Sequence, residues 1–278
     1  MNKDSRETPQ APLPETGRPA WLVIKCGGST LAALPDAFFR DMVRLGERGT
    51  MPVIVHGGGP AINGMLEKLG IESRFVDGLR VTTPEVLHVV EMVLGGSINK
   101  EIVRRIAQSG GKAAGFSGVD GGTIRVVPAS GGRLGFVGEI TAVDAGLIRA
   151  TAAAGCIPVV APLGLGPDGH TYNINADTAA GAVAAALGAE RLIVVTDVPG
   201  ILRTVDGEKR LMPEASVADI EAMIASGDIY GGMIPKVRAA VQCLAGGVRE
   251  VVICDGSMPD VLSRAASGDP AAGTRVVP

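Results

Sequence analysis

The sequence predicts an α/β fold: a three-layer αβα sandwich around a central, open, twisted and mainly parallel sheet. Three observations predict it. Short apolar runs of strand length alternate with longer amphipathic segments of helical period through most of the 278 residues. Gly 40 and Pro 18 supply numerous tight turns while aromatics are only 3%, so the core must be aliphatic. Two of the apolar runs end in glycine clusters, at the carboxyl ends of strands, where open α/β sheets carry their function.

Residues 21–25 (Trp-Leu-Val-Ile-Lys) form an apolar run stopped by Gly27-Gly28, and 52–56 (Pro-Val-Ile-Val-His) form another stopped by Gly57-Gly58-Gly59. Both read as buried strands. Between them, 36–48 has helical spacing at Phe38, Phe39, Met42 and Val43, which makes a strand, helix, strand unit with a right-handed crossover. Helices follow at 60–69 and 84–108, each with proline in the first turn, where a missing N–H costs nothing. Residues 112–140 change texture: the runs 123–127 and 134–138, set off by glycine pairs, predict antiparallel hairpins over the main sheet. Alternation resumes with helix 144–154, strand 157–161, helix 177–187, strand 192–196, helices 216–226 and 233–245, strand 250–254, helix 259–266 and strand 274–277. The first twenty residues hold four prolines and no hydrophobic period, so 1–20 is expected to be a disordered tail. A soft lobe boundary near 170–176 separates 21–175 from 176–278, with no polar linker between them.

A net charge of −3 has the wrong sign for a protein that binds nucleic acid or an anionic membrane. No apolar run approaches the roughly 18 to 20 residues of a membrane helix, so a soluble cytoplasmic protein is expected. Cys26, Cys156, Cys243 and Cys254 show no CxxC spacing and three lie in apolar segments, which points to buried thiols rather than disulfides or zinc.

Several devices are absent or false. No GxxxxGK[ST] phosphate loop occurs. Gly164-Leu-Gly166-Pro-Asp-Gly169 satisfies GxGxxG, but His-Thr-Tyr-Asn-Ile follows and opens no helix, so it is no dinucleotide site. His56, His88 and His170 are too few for histidine-rich metal sites. His88 in an amphipathic segment reads as structural, and His56 before three glycines as a residue that orients a loop by hydrogen bonding. The glycine clusters are more suggestive. Bare N–H groups before a helix cradle anions, although glycines also simply make turns. Lys25 closes its strand toward the same mouth, or is an ordinary charge at a strand end. Lys236, after Gly231-Gly232-Met-Ile-Pro, puts a cation in the first turn of a helix, where the dipole disfavours it unless an anion is near. Asp177 opens an alanine-rich helix, where a carboxylate suits the dipole.

In order and spacing, Lys25-Cys-Gly-Gly28, His56-Gly-Gly-Gly59, Gly78-Leu-Arg80-Val-Thr82, Asn173-Ile-Asn-Ala-Asp177, Thr196-Asp-Val-Pro-Gly-Ile-Leu202 and Gly232-Met-Ile-Pro-Lys236 resemble the amino acid kinase family. They are most similar to the branch that phosphorylates N-acetyl-L-glutamate. The resemblance covers residues 21–278 and implies ATP-dependent phosphorylation of the side-chain carboxylate to N-acetyl-L-glutamyl 5-phosphate, in arginine biosynthesis. It implies that Lys25 and Lys236 stabilise the transferring phosphoryl group and that Asp177 organises both. Gly58 and Gly59 would offer N–H groups to the substrate, and Arg80 and Asn173 would hold its α-carboxylate. Gly27, Gly28, the run Asp197, Val198, Pro199, Gly200, Ile201 and Leu202, and Asp228, Ile229 and Tyr230 would receive ATP. Magnesium would be held mainly by the nucleotide phosphates, with no metal site of the chain's own. Lobe 21–175 would then bind the amino acid and dimerise, and lobe 176–278 would bind ATP.

Arginine-inhibited members resemble one another in a kinked amphipathic helix before the first strand and a Gly-Thr-rich stretch near the C-terminus. This chain has a proline-rich start and ends Ala-Gly-Thr-Arg-Val-Val-Pro278, so a homodimer without arginine feedback is expected. Val86, Leu87, Val90, Val93 and Leu94 in the 84–108 helix exceed one narrow stripe and form either the dimer face or plain core. The competing readings are a kinase of a related acidic amino acid, such as carrier-linked aminoadipate in lysine biosynthesis, and an inactive regulator on the same fold.

Overall fold

The computed structural model describes residues 20–278 except Ser29, Asp77, Asp206, Gly207 and Gly232. Residues 1–19 of the expected 1–20 tail lie outside the described residues, and Ala20 opens the first strand instead. The chain runs β1 (Ala20–Cys26), α1 (Asp36–Glu47), β2 (Thr50–His56), α2 (Gly59–Lys68), β3 (Phe75–Val76), β4 (Leu79–Arg80), α3 (Pro84–Glu91) and α4 (Asn99–Gln108). It continues through β5 (Ala113–Ser117), β6 (Ile124–Pro128), β7 (Gly138–Val143), α5 (Gly146–Ala153), β8 (Ile157–Ala161), β9 (Leu163–Leu165), β10 (Thr171–Asn173) and α6 (Ala176–Leu187). The last third is β11 (Arg191–Thr196), β12 (Leu202–Val205), β13 (Glu208–Leu211), β14 (Glu214–Ser216), α7 (Val217–Ser226), α8 (Met233–Ala245), β15 (Val251–Asp255), α9 (Val261–Ser267) and β16 (Thr274–Val277).

Eight strands form the central sheet in the order β14-β16-β15-β11-β1-β2-β8-β5. All neighbours pair in parallel except β15 and β16, so the sheet is mainly parallel, as expected. Successive side chains alternate between its faces. Leu22, Ile24, Cys26 and Ile54 pack with α1, α2, α3, α4 and α9, while Trp21, Val23, Val53 and Val55 pack with α5, α6, α7 and α8. These are the three layers, and burying each aliphatic side chain contributes about 1.5–3 kcal/mol. Helix ends follow their local chemistry. Ser216 and Asp219 close a capping box on α7, and Gly188 ends α6 in the left-handed conformation at φ 64°.

Two expectations are corrected and one open choice is decided. The run 84–108 is not one α-helix: a π-helical turn, Met92–Ile98, joins α3 to α4. Of the two readings left open for Val86, Leu87, Val90, Val93 and Leu94, core is the one that holds, since all five are buried within this chain. In 112–140, β5 is an edge strand of the main sheet, and the hairpin pairs β6 with β7 rather than with 134–138. Of 134–138, only Gly138 enters the hairpin, as the first residue of β7 opposite Pro128, while Gly135 and Val137 make single bridges to Thr82 and Asn173. The hairpins β3–β4, β9–β10 and β12–β13 carry too short an apolar signal for a period to be read. Gly164 to Gly169 falls in the β9–β10 hairpin, which explains its failure to open a helix.

Candidate active site

β1 connects onward to β2 on one side, while its other neighbour β11 connects onward toward β15 on the other, so the connections diverge between β1 and β11 and open a crevice at the strand C-termini. Gly27-Gly28 follows β1, Gly57-Gly58-Gly59 follows β2, and Asp197 follows β11. The two glycine loops touch. A Cβ on Gly28 would stand 2.7 Å from Gly58 N and 2.9 Å from Gly59 N, so close approach of backbone to backbone requires glycine there. Gly57 N–H donates to the Cys26 carbonyl at 2.9 Å and ties the loops together.

The period of β1 turns Lys25 to the α6 face. There α6 begins with Asn175 as N-cap, whose side chain accepts from the N–H groups of Asp177 and Thr178. The Lys25 ammonium meets Asp177 Oδ1 at 2.8 Å, and at 13% and 26% exposure the pair is weakly screened by water. A cavity of about 200 Å³ opens beside it, lined by Gly28, Gly58, Gly59, Arg80, Asn173 and Asp177 among others. The N-termini of α2 and α6 both reach this space, adding two positive dipole ends.

At the far end Arg80 is buried, donates to Ser73 Oγ and to the Gly59 carbonyl at 3.4 Å, and lies 4.6 Å from the Phe75 ring centroid. Loss of hydration lowers its pKa below the usual arginine value. Asn173 Nδ2 donates to Thr82 Oγ1 at 3.3 Å.

Lys236 stands in the first turn of α8 and donates to Asp197 Oδ1 at 2.8 Å. That hydrogen bond, more than any other contact, lowers the pKa of Asp197. Asp177 therefore holds Lys25, while Lys236 is held by Asp197, not by Asp177. Pro235 is the third residue of α8, where the N–H it lacks has no intrahelical partner.

Along the run after β11, Thr196 Oγ1 donates to Val198 O at 2.9 Å, and Gly200 takes φ 144° against Thr274. Leu202 begins β12. The side chains of Ile201 and Ile229 belong to the core on the α6 face, whereas Tyr230 is 65% exposed and Asp228 accepts from Ser226 Oγ at 2.8 Å. Gly27 carbonyl caps the turn that follows it by accepting from Leu31 N–H. His88 is exposed on α3 rather than packed.

Sequence reasoning missed Phe75 at the cavity and took Leu94 only as dimer face or core. Phe75 sits in a two-residue strand with no period to read, and Leu94 is aimed at the cavity by the π turn, which also turns the buried Asn99 toward the sheet.

His56 is fully buried, with Nδ1 3.2 Å from the Gly57 carbonyl. Burial lowers its pKa from 6.5 to about 4, with Lys100 adding to the drop and the Gly57 bond opposing it. The ring is thus neutral in the folded chain and protonated below pH 6.5 in the unfolded chain. Stability from this group is complete above pH 6.5 and is lost as pH falls toward 4, a loss of about 3 kcal/mol. Denaturant melts of the wild type and His56→Asn at pH 7 and pH 4 should differ in their pH dependence by that amount; parallel behaviour would contradict it.

Comparison with known proteins shows the family and the fold. The model of the amino acid kinase family matches residues 20–255. Acetylglutamate kinase of Brevibacillus brevis is 52% identical over 257 residues, which cover 92% of this chain and 96% of that protein. Acetylglutamate kinase of Geobacillus kaustophilus is 54% identical, covering 84% and 90%. A crystal structure from Streptococcus mutans UA159 superposes with a TM-score of 0.79 at 28% identity, covering 94% of this chain and 99% of that one. Carbamate kinase from Giardia lamblia bound to AMP-PNP shares the fold, with a TM-score of 0.66 at 18% identity and coverage of 93% and 98%. A family model spanning most of the chain, relatives at half identity and a common fold lead to one assignment: this chain belongs to the amino acid kinase family.

Proposed function

We propose that the chain transfers the γ-phosphoryl group of ATP to the side-chain carboxylate of N-acetyl-L-glutamate, giving N-acetyl-L-glutamyl 5-phosphate and ADP, an early step of arginine biosynthesis. The observation that carries the reading is one cavity that joins the two glycine loops, Arg80, Asn173 and Asp177, the carboxylate that holds Lys25. Its substrate rests on relatives named acetylglutamate kinase at about half identity. These names favour acetylglutamate over the aminoadipate alternative.

The nucleophile is a glutamate-type carboxylate with a pKa of about 4.3, ionised at pH 7, so no general base is required. A carboxylate oxygen bonds to the γ-phosphorus while the bond to the β,γ-bridging oxygen breaks and ADP departs with that electron pair. The obstacle is bringing one anion against another, which positioning and fixed positive charge overcome. Lys25, aimed by Asp177, and Lys236, released from Asp197 to phosphate, offset the charge of the transferring group. N–H groups of Gly28, Gly58 and Gly59 donate to its oxygens and to the attacking carboxylate. Arg80 and Asn173 hold the α-carboxylate.

The nucleotide lies along Asp197 to Leu202, Gly27 and Asp228 to Tyr230, where Ile201 and Ile229 contribute backbone only. Magnesium would be held mainly by the nucleotide phosphates. Among the described residues no group of three His, Cys, Asp or Glu side chains is placed to hold an ion, and Asp177 and Asp197 are each engaged by a lysine. Bound there, the ion would supply further neutralisation of phosphate charge.

On this reading 21–175 binds the amino acid and 176–278 the nucleotide, in a cytoplasmic homodimer without arginine feedback. With the apolar residues of 84–108 buried, the exposed Met92 is what that run has left to offer a second subunit.

Coupled ADP release across N-acetylglutamate, glutamate and N-acetylaminoadipate, with and without arginine, tests the reading. Turnover confined to N-acetylglutamate is expected, and its absence would sink the assignment. Arg80→Ala should raise KM for N-acetylglutamate by about tenfold or more with kcat nearly unchanged, as a charge-assisted contact present before and during transfer is lost. An unchanged KM would remove Arg80 from the site.

A further inference from the structure

We propose that Asn99 and His56 are positioning residues that lock the Gly57–Gly58 peptide, so that a chain of hydrogen bonds running inward from the exposed Lys100 aims the Gly58 N–H into the phosphoryl-transfer cavity. The inference rests on the activity proposed above and extends its machinery to two residues outside the cavity wall.

The chain has one consistent direction. The Lys100 ammonium has only donors, and it donates to Asn99 Oδ1 at 3.1 Å and to the Gly115 carbonyl at 2.7 Å. This fixes the amide of Asn99 with its oxygen toward Lys100. The Asn99 nitrogen then faces the Val159 carbonyl at 3.0 Å, the Phe116 carbonyl at 3.3 Å and His56 Nε2 at 3.3 Å. Reversing the amide would turn its oxygen toward two carbonyls. Nε2 of His56 is accordingly the acceptor, and the ring proton sits on Nδ1, 3.2 Å from the Gly57 carbonyl that accepts it. Both side chains are completely buried, and a buried polar group of this kind is held in one arrangement by its partners.

The fold makes room for this chain. A π turn carries an extra residue, which rotates the following helix by about 100° and brings Asn99 to face the sheet. On β5, a Cβ at Gly115 would stand 1.9 Å from Asn99 Oδ1, so the glycine in that strand is the space the amide occupies. The same π turn seats Gly58: Leu94 and Ile98 methyl groups lie 2.5 and 2.6 Å from where its Cβ would be.

In a trans peptide the carbonyl and the next N–H point oppositely. With the Gly57 carbonyl drawn to His56, the Gly58 N–H points away, toward Gly28 and the cavity. Among the described residues that N–H makes no hydrogen bond, so it is free for an incoming oxygen.

The decisive measurement is nitrogen-15 NMR of the ring-labelled wild type, with His56 assigned by the signal missing in His56→Asn. A proton on Nδ1 is expected, and a proton on Nε2 would overturn the relay. His56→Asn puts an amide nitrogen where Nδ1 stands, whereas His56→Gln carries it to the Nε2 position and leaves Gly57 without a donor. His56→Asn should keep a kcat at least about tenfold above His56→Gln at similar KM. Equal kcat values would reduce His56 to packing. Asn99→Asp preserves shape but turns the donor into an acceptor, so the ring should move its proton to Nε2 and kcat should fall about tenfold. An unmoved tautomer with unchanged kcat would refute the link. Lack of ADP release by the wild type would sink the proposed activity alone, because the tautomer judges the relay separately.

Discussion

Lys236→Ala is expected to lower kcat by about 10²-fold or more, about 3 kcal/mol of transition-state stabilisation, with KM for N-acetylglutamate within a few-fold of wild type. The size follows from where the charge acts. Lys236 lies outside the lining of the acetylglutamate cavity and is tied to Asp197 across the β11 end of the crevice. Because that ion pair is exposed and weak, a more negative partner readily takes the ammonium from it, and the negative charge on the transferring oxygens is greatest while the phosphoryl group moves. Loss of an interaction made chiefly then lowers kcat and kcat/KM together. Steady-state kinetics with each substrate varied checks it, and near-normal turnover would remove Lys236 from the reaction.

Gly28→Ala should be as damaging for a different reason. Its Cβ would stand 2.7 to 2.9 Å from Gly58 N, Gly58 Cα and Gly59 N, all backbone atoms that cannot swing aside. The two loops must part, and the N–H groups of Gly58 and Gly59 lose their placement relative to Lys25. A displacement of about 1 Å at reacting groups costs about 10²-fold. Overpacking should cost only about 1–3 kcal/mol of stability, so the variant should still fold. Gly64→Ala, in α2 with nothing within 4 Å of its new methyl, is the matched control and should retain activity. Full activity in Gly28→Ala would mean that the loops do not act together.

The sequence by itself determined the elements and where function would gather. Strands 157–161 and 274–277 and helix 233–245 stand where their periods put them, because alternation and helical spacing are local properties of a few consecutive side chains. Lys25, the glycine loops, Arg80, Asn173 and Asp177 were each legible as single motifs at element ends; that all but Lys25 line one cavity, with Lys25 paired to Asp177 beside it, is a consequence of parallel strands ending side by side.

Only the tertiary structure decided the partners. Lys236 meets Asp197 thirty-nine residues away rather than Asp177, and His56 meets Asn99 across forty-three. It also decided that Val86, Leu87, Val90, Val93 and Leu94 are core, that a π turn interrupts the 84–108 run, and that the weakly apolar β5 closes the sheet. The reason is common to all of these. A short-range pattern says which face of an element is buried, whereas the choice among several burial partners depends on packing between segments far apart in the chain, where a one-residue rotation exchanges one neighbour for another.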